Sequence, residues 1–141
     1  MKKKNLLIIM IIAVLVCILL LLKRCQKTEE KISFDLQGET TISAGFIRMK
    51  VWDNETEDGD TVNVYFDGKL MKENAAILNM PFVIELGNLG KGEHILGVKA
   101  VSEGMSEPAT ASLSLYNDSE EKEFEMNATI RKPASWKINI K

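Results

Sequence analysis

The chain has 141 residues, of which 45% are hydrophobic and 27% are charged, and its formal net charge at pH 7 is −2. That value hides an asymmetry, because residues 1–31 carry seven basic and two acidic side chains, whereas residues 32–141 carry 11 basic and 18 acidic ones. Nucleic-acid binding needs clustered Lys and Arg, so a region with a net charge of −7 argues against a nucleic-acid partner. One His and two Cys leave little material for imidazole-based catalysis or zinc binding.

The first 31 residues divide into a basic segment at 1–5, an apolar run at 6–22 and a polar tether at 23–31. The run contains no charge, Gly or Pro. At 1.5 Å per residue a helix of this length spans about 25 Å, the short end of what crosses a bilayer. No A-x-A-like signal-peptidase site follows it. We therefore expect one transmembrane helix that anchors the protein.

The basic residues around the apolar run give a narrow preference for its orientation. Lys2, Lys3 and Lys4 precede the run, and Lys23, Arg24 and Lys27 follow it closely, so the positive-inside rule is nearly balanced. The first cluster emerges first, which favours a cytoplasmic N-terminus with residues 32–141 in the periplasm or outside the cell. The alternative is a lipoprotein, although Val16 before Cys17 and Arg24 before Cys25 are not the small residues that a lipoprotein signal needs.

Residues 32–141 are enough for one domain, which would bury roughly two-thirds of its unfolded surface. Short alternating runs punctuated by turns predict an all-β sandwich, and no useful length shows helical periodicity. Residues 74–80 could be a loop or one helical turn. The predicted strands are 32–36, 41–52, 61–66, 69–71, 82–86, 94–101, 109–116, 123–130 and 136–140.

Strands 41–52 and 61–66 flank the most distinctive stretch of the sequence. Alternation places Ile47, Met49 and Val51 on one buried face, and Val62, Val64 and Phe66 on another. A hairpin with Val51 opposite Val62 would give an all-apolar inner face. However, residues 53–60 are long for a hairpin loop. The chain could instead cross here from one sheet of the sandwich to the other.

Two later pairs of strands also allow a register that keeps apolar residues opposite one another. The first joins strands 94–101 and 109–116 across a loop at 102–108. The second joins strands 123–130 and 136–140 across residues 131–135. We therefore expect each pair to form an antiparallel hairpin.

Two segments also carry a resemblance to a known family. Residues 51–70, VWDNETEDGDTVNVYFDGKL, resemble the W-D-x-x-x-x-D-G-D-x-V-x-V-x-x-[ND]-G motif of small secreted or membrane-anchored proteins of Bacteroidota. Residues 92–115 are similar to that family's second block, with Ser102 in place of the usual Asn and Ala109 where a second Asn is common. The resemblance covers residues 49–141. It implies an immunoglobulin-like β-sandwich and brings no known active site.

The segment 53–60 concentrates five carboxylates within eight residues. Charges this close repel one another unless water, a cation or a basic partner relieves them. Calcium is the hard cation that carboxylate and loop carbonyl oxygens bind, so the predicted metal site comprises Asp53, Glu55, Asp58 and Asp60. The simpler alternative is that these residues only shape turns through hydrogen bonds to the backbone.

The spacing excludes an EF-hand. With Gly59 at position 6 of such a loop, Tyr65 falls at position 12, where a bidentate Glu is required. Calcium is therefore considered only as an irregular loop site, and no other cofactor is predicted.

The immunoglobulin-like topology implied by the resemblance would place segment 53–60 at the same end as residues 102–108. The predicted partner-binding residues are Glu55, Glu57, Glu103 and Glu107, which would form one acidic patch there. An acidic patch of this kind suits a basic protein partner.

The leading functional hypothesis is a membrane-anchored, non-enzymatic binding or assembly module, which could act as a subunit of a membrane complex. A calcium-dependent adhesion or structural domain is the first alternative. A small hydrolase or its accessory subunit is the second, although the sequence has no G-x-S-x-G motif and only His94 as an imidazole.

Overall fold

The computed structural model describes residues 32–141, which form nine β-strands and no helix. The strands are β1 (Asp35–Ile42), β2 (Gly45–Trp52), β3 (Asp60–Phe66), β4 (Lys69–Ala76), β5 (Phe82–Leu89), β6 (Gly92–Glu103), β7 (Ala109–Tyr116), β8 (Glu121–Ala128) and β9 (Ala134–Ile140). The predicted all-β class is confirmed. The predicted anchor at 6–22 and tether at 23–31 lie outside the described residues. Within the described part of the chain, nothing helical is long and apolar enough to span a membrane.

The strands form two sheets that pack as a β-sandwich. One sheet has the order β1-β9-β6-β3-β4 and the other has the order β5-β2-β7-β8. Every pair of neighbouring strands is antiparallel except β1 and β9, which are parallel. The prediction of an antiparallel sandwich is therefore wrong for that pair. Because β1 and β9 lie far apart in sequence, no short turn forces them to run in opposite directions.

The core lies between the two sheets and takes alternate residues from each strand. Ile47, Met49 and Val51 of β2 are fully buried, as are Val62 and Val64 of β3. Burial of each such side chain contributes about 1.5–3 kcal/mol. The predicted inner faces of these two strands are therefore confirmed.

The predicted hairpin between these strands is wrong, and the alternative crossing between sheets is correct. β2 pairs with β5 and β7, whereas β3 pairs with β4 and β6. β2 and β3 therefore contribute their buried side chains to the same core from different sheets. The inner faces of both sheets are apolar. Matching apolar residues therefore cannot distinguish two strands that pair within one sheet from two strands that lie in opposite sheets.

The same reason overturns the two later hairpins. β6 pairs with β3 and β9, and β7 pairs with β2 and β8, so the chain changes sheets between β6 and β7. It changes sheets again between β8 and β9.

Several strand boundaries differ from prediction, and two of them lie where the chain changes sheets. The predicted strand 41–52 is divided at residues 43–44, where the chain passes from β1 in one sheet to β2 in the other. Residues 74–76 belong to β4, and residues 77–81 form a loop instead of a helical turn. In both places a change of sheet, which has no strong local signature, decides the boundary.

The strand directions show at which end of the sandwich each connecting loop or turn lies. Loops 53–59, 77–81, 104–108 and 129–133 lie at one end, which we call the loop end. The turns at 43–44, 67–68, 90–91 and 117–120 lie at the other, which we call the turn end.

The described chain also enters the domain at the loop end. Asp35 pairs with Ala134, the first residue of β9, and its N–H donates to the carbonyl of Pro133 at 2.8 Å. Just before it, the Phe34 ring packs on Gly97 of β6, where an added Cβ would collide with the ring. These contacts fix the position at which the described chain enters the sandwich.

Candidate functional site

Loop 53–59, the acidic loop, is bonded to its neighbour 77–81 by backbone and side-chain hydrogen bonds. The Asp53 N–H donates to the Leu78 carbonyl at 2.9 Å, and the Ile77 N–H donates to the Asp60 carbonyl at 3.0 Å. The Asn79 N–H donates to Oε1 of Glu57 at 2.6 Å. These bonds fix loop 77–81 along one side of the acidic loop.

Asp58 ties the acidic loop to loop 104–108 on its other side. Its Oδ2 accepts hydrogen bonds from the Met105 N–H and from Oγ of Ser106, both at 3.2 Å. Gly104 makes this close approach possible, because a Cβ at that position would collide with the Asp58 carboxylate. Its φ of +55° is also one that glycine adopts readily.

Glu103 continues the line of contacts across the loop end. Its Oε1 accepts the N–H of Ile130 at 2.6 Å. The four loops therefore lie in the order 77–81, 53–59, 104–108 and 129–133.

Asp53 and Asp60 are almost fully buried at the base of the acidic loop, each with 4% of its surface exposed. Oδ1 of Asp53 accepts the N–H of Glu55 at 2.8 Å, which is the side-chain-to-backbone turn that the simpler sequence alternative predicted. Oδ2 of Asp60 accepts the N–H of Thr110 at 3.0 Å and joins β3 to β7 in the facing sheet.

Asp58 and Asp60 bring two carboxyl groups into contact. The Oδ1 atom of each is buried and receives no N–H or O–H donor from elsewhere in the described chain. The two groups are close enough for one carboxyl to donate a proton to the other. The pKa of Asp60 is raised to about 6, chiefly by burial and also by the negative charges of Asp58 and Asp53, against the opposing effect of the Thr110 hydrogen bond.

The structure thus divides the four residues of the predicted calcium site. It brings Asp58 and Asp60 together with Asp53 nearby, whereas Glu55 is exposed and no hydrogen bond to its carboxylate occurs within residues 32–141. In that same region, no group of three or more His, Cys, Asp or Glu side chains is arranged to hold a metal ion. Calcium binding stays a prediction.

All four predicted partner-binding residues lie at the loop end, but they differ in what their carboxylates do. Glu57 and Glu103 accept backbone hydrogen bonds from neighbouring loops. Glu55 and Glu107 are exposed, and their carboxylates form no ion pair or hydrogen bond with other residues between 32 and 141. Only the second pair is therefore free to bind a partner without disturbing the loops.

Sequence reasoning missed the apolar side chains of the loop end. Met105 is 89% exposed, Met80 is 78% exposed, and Leu78 and Ile130 are about half exposed. A hydrophobic residue in a short loop has no periodicity that would reveal whether it is buried, so their positions could not be read from the pattern.

His94 lies near the turn end and takes no part in this site. Its Nδ1 is 2.7 Å from Oδ2 of Asp67, and its ring stacks on Phe66 with 5.3 Å between ring centroids. Oδ1 of Asp67 also accepts the Ile95 N–H at 2.9 Å. These contacts give the Asp67 carboxylate a structural role at the β3–β4 turn.

No protein-family model, curated protein or solved structure matches this chain significantly. The function must therefore be inferred from the residues themselves.

Proposed function

We propose that this protein is a membrane-anchored, non-enzymatic binding or assembly module that acts outside the cytoplasm, as a subunit of a membrane complex. The observation that carries the proposal is the concentration of free carboxylates and exposed apolar side chains on loops at one end of the sandwich. Those loops are held in a fixed arrangement by hydrogen bonds through Asp58, Glu57 and Glu103. Loops positioned by a rigid scaffold are a common basis for binding sites.

The fold is proposed to be immunoglobulin-like, and the sheet orders support this in part. In that fold the strands C, F and G form one sheet, while B and E lie in the other. Here β3, β6 and β9 would correspond to C, F and G, and β2 and β5 to B and E. The hairpin β7–β8 would then be an insertion between the F-like and G-like strands.

The anchor remains part of the proposal, with a cytoplasmic N-terminus and a lipoprotein as the alternative. Within the described residues, the chain enters the domain at the loop end, where the Asp35 N–H donates to the Pro133 carbonyl. A partner of the loop end would thus bind near residue 32.

Photo-crosslinking in native membranes tests this function. A photoreactive amino acid replaces Glu55 or Glu107 at the loop end, and Lys91 or Asp118 at the turn end as matched controls. The expected result is a discrete protein adduct from the first two positions only. Equal adducts from both ends, or none from the loop end, would contradict the proposal.

Charge reversal gives a second measure of the same function. Glu107→Lys in the protein labelled at position 55, and Glu55→Lys in the protein labelled at position 107, should each abolish the adduct and leave the melting temperature unchanged, since neither carboxylate is used inside the domain. Reversal of Glu57 or Glu103 would not separate binding from folding, because their hydrogen bonds hold the loops together.

A calcium-dependent adhesion or structural domain is the second candidate, favoured by the buried Oδ1 atoms of Asp58 and Asp60, which receive no donor from residues 32–141. Calorimetric unfolding of the full chain in calcium and in chelator tests it. A ligand at 100 times its Kd stabilises the folded state by about 2.7 kcal/mol, so an unchanged melting temperature would remove this candidate.

A further inference from the structure

The loop end exposes methionines on both sides of the acidic loop. Met80 projects from loop 77–81 and Met105 from loop 104–108, and each of these loops is hydrogen-bonded to the acidic loop between them. Methionine is flexible and polarizable, and for this reason it is common on surfaces that adapt to a partner.

The charge around these methionines is of one sign. Loops 53–59, 77–81 and 104–108 contain no Lys or Arg. The basic residues of the loop end are in loop 129–133, where Lys132 is paired with Asp35 at 3.1 Å. The exposed carboxylates of Glu55 and Glu107 are therefore not neutralised by the described part of the chain.

We propose that the loop end binds a basic, apolar segment of another protein, an inference that rests on the proposed binding function. Met80 and Met105 would contact apolar side chains of the segment, while Glu55 and Glu107 would pair with its Lys or Arg. Charge complementarity selects this occupant, because an anionic lipid surface or the loop end of a second copy would place like charges together.

Defined peptides test the proposal on the full chain in nanodiscs of zwitterionic phosphatidylcholine. Three labelled peptides of equal length are titrated, with alternating Lys and Leu, Lys and Ser, or Glu and Leu. Two double variants are compared with the native protein: Met80→Ser with Met105→Ser, and Glu55→Gln with Glu107→Gln. Matched controls at a distance from the loop end are Ile95→Ser and Asp118→Asn.

The Lys-Leu peptide should bind the native protein, and each double variant should raise its Kd by about tenfold or more, a change of about 1.4 kcal/mol. The two controls should leave Kd unchanged, and the Lys-Ser and Glu-Leu peptides should bind at least about tenfold more weakly. The proposal is overturned if Lys-Leu does not bind, if Lys-Ser binds as tightly, or if either double variant binds normally. Concentration-dependent dimers that require Met80 and Met105 would also overturn it, in favour of a second copy.

The crosslinking experiment separates this inference from the function on which it rests. Adducts at Glu55 or Glu107 together with a negative peptide result would remove only the chemistry assigned to the partner. An absence of loop-end adducts would remove the binding function itself.

Discussion

Asp58 and Asp60 place two carboxyl groups in contact where the acidic loop meets loop 104–108. Each group has a structural task, since Asp58 accepts from Met105 and Ser106, and Asp60 accepts from Thr110. The Oδ1 atom of each receives no donor from the part of the chain that the structure describes. The native arrangement therefore favours a proton on Asp60, whose raised pKa means that its ionisation weakens the folded state.

Replacement of Asp60 by Asn should stabilise the protein at pH 7. The pKa of Asp60 is about 6 in the folded protein, against 3.8 for an unperturbed Asp, so its stabilising proton is fully effective below pH 3.8 and is lost as the pH rises through 6. Asn keeps an oxygen for the Thr110 N–H and adds a donor toward Asp58. Urea unfolding should show a gain of roughly 1–3 kcal/mol, since one pKa unit corresponds to about 1.4 kcal/mol.

The pH dependence distinguishes this effect from a general gain in stability. The difference between Asp60→Asn and the native protein should shrink toward pH 4, and Asp118→Asn at an exposed turn should show no such trend. A gain that is equal at pH 4 and pH 7 would contradict the assignment of the raised pKa.

Gly104 is the second residue on which the contact between these loops depends. Its φ is +55°, and an added Cβ would collide with the Asp58 carboxylate. Gly104→Ala should therefore lower the free energy of unfolding by more than the roughly 1–2 kcal/mol that the left-handed backbone alone costs a residue with a Cβ.

Gly68→Ala is the matched control for this substitution, because φ is +77° at Gly68 and no atom lies within 4 Å of an added Cβ. Unfolding in urea, followed by tryptophan fluorescence, gives both values. Equal losses for the two variants would show that the contact with Asp58 contributes nothing.

At the scale of strands, the sequence predicted which segments form strands, and which side of each strand is buried, better than it predicted which strands pair. Alternation reports which side of a strand is buried, so the inner residues of β2 and β3, such as Met49 and Val64, were identified correctly. The partners were not, because both inner faces of a sandwich are apolar and a register of apolar residues fits either arrangement. The length of the loop at 53–60 was the better signal, since it favoured a change of sheet.

The candidate site shows the same division between local and long-range information. Turn chemistry at Asp53 follows from its local sequence and is observed. The contact of Asp58 with loop 104–108 joins residues almost 50 positions apart, and no local pattern specifies it. The sequence resemblance implied that the two loops share an end, but it could not show which carboxylates are used internally.

The edge strands β1 and β8, which belong to different sheets, are bridged by one side chain. Nε2 of Gln37 donates to the Asn127 carbonyl at 2.7 Å, and Oε1 of Gln37 accepts the Asn127 N–H at 2.9 Å. The amide therefore satisfies both backbone groups of Asn127 as a neighbouring strand would. This contact helps to close that side of the sandwich, since an unpaired edge exposes a row of such groups.

Gln37→Ala should return both backbone groups of Asn127 to water and cost roughly 1–2 kcal/mol for the two hydrogen bonds. The local measure is amide hydrogen exchange, which should become faster at Asn127 and stay unchanged in the centre of β7. Gln37→Glu keeps the acceptor but sets a carboxylate against the Asn127 carbonyl, so it should be no more stable than the Ala variant. Unaltered exchange at Asn127 in both variants would show that the bridge does not protect this edge.

Over the whole molecule, the carboxylates whose pKa values shift fall into two opposing groups. Hydrogen bonds from Ser43 and Lys122 lower the pKa of Glu120 to about 2. Lys50 and Ser114 lower the pKa of Glu121, and Lys137 lowers that of Glu39. Asp60 alone among the shifted carboxylates of residues 32–141 has a raised pKa. The first group joins neighbouring strands and turns, whereas Asp60 lies at the loop end.

These opposing shifts predict that stability is greatest at mildly acidic pH, near 4–5. The lowered group contributes stability that is present above the reference pKa of 4.5 and is lost as the pH falls toward 2, through the folded-state value of Glu120. Asp60 contributes stability that is present below 3.8 and is lost as the pH rises through about 6. Urea unfolding of the full chain, measured from pH 2 to pH 8, should therefore give the largest free energy of unfolding near pH 4–5. Asp60→Asn should reduce the loss of unfolding free energy above pH 5, and Ser43→Ala should reduce the loss below pH 4. A native protein that is most stable at or above pH 7 would contradict this prediction.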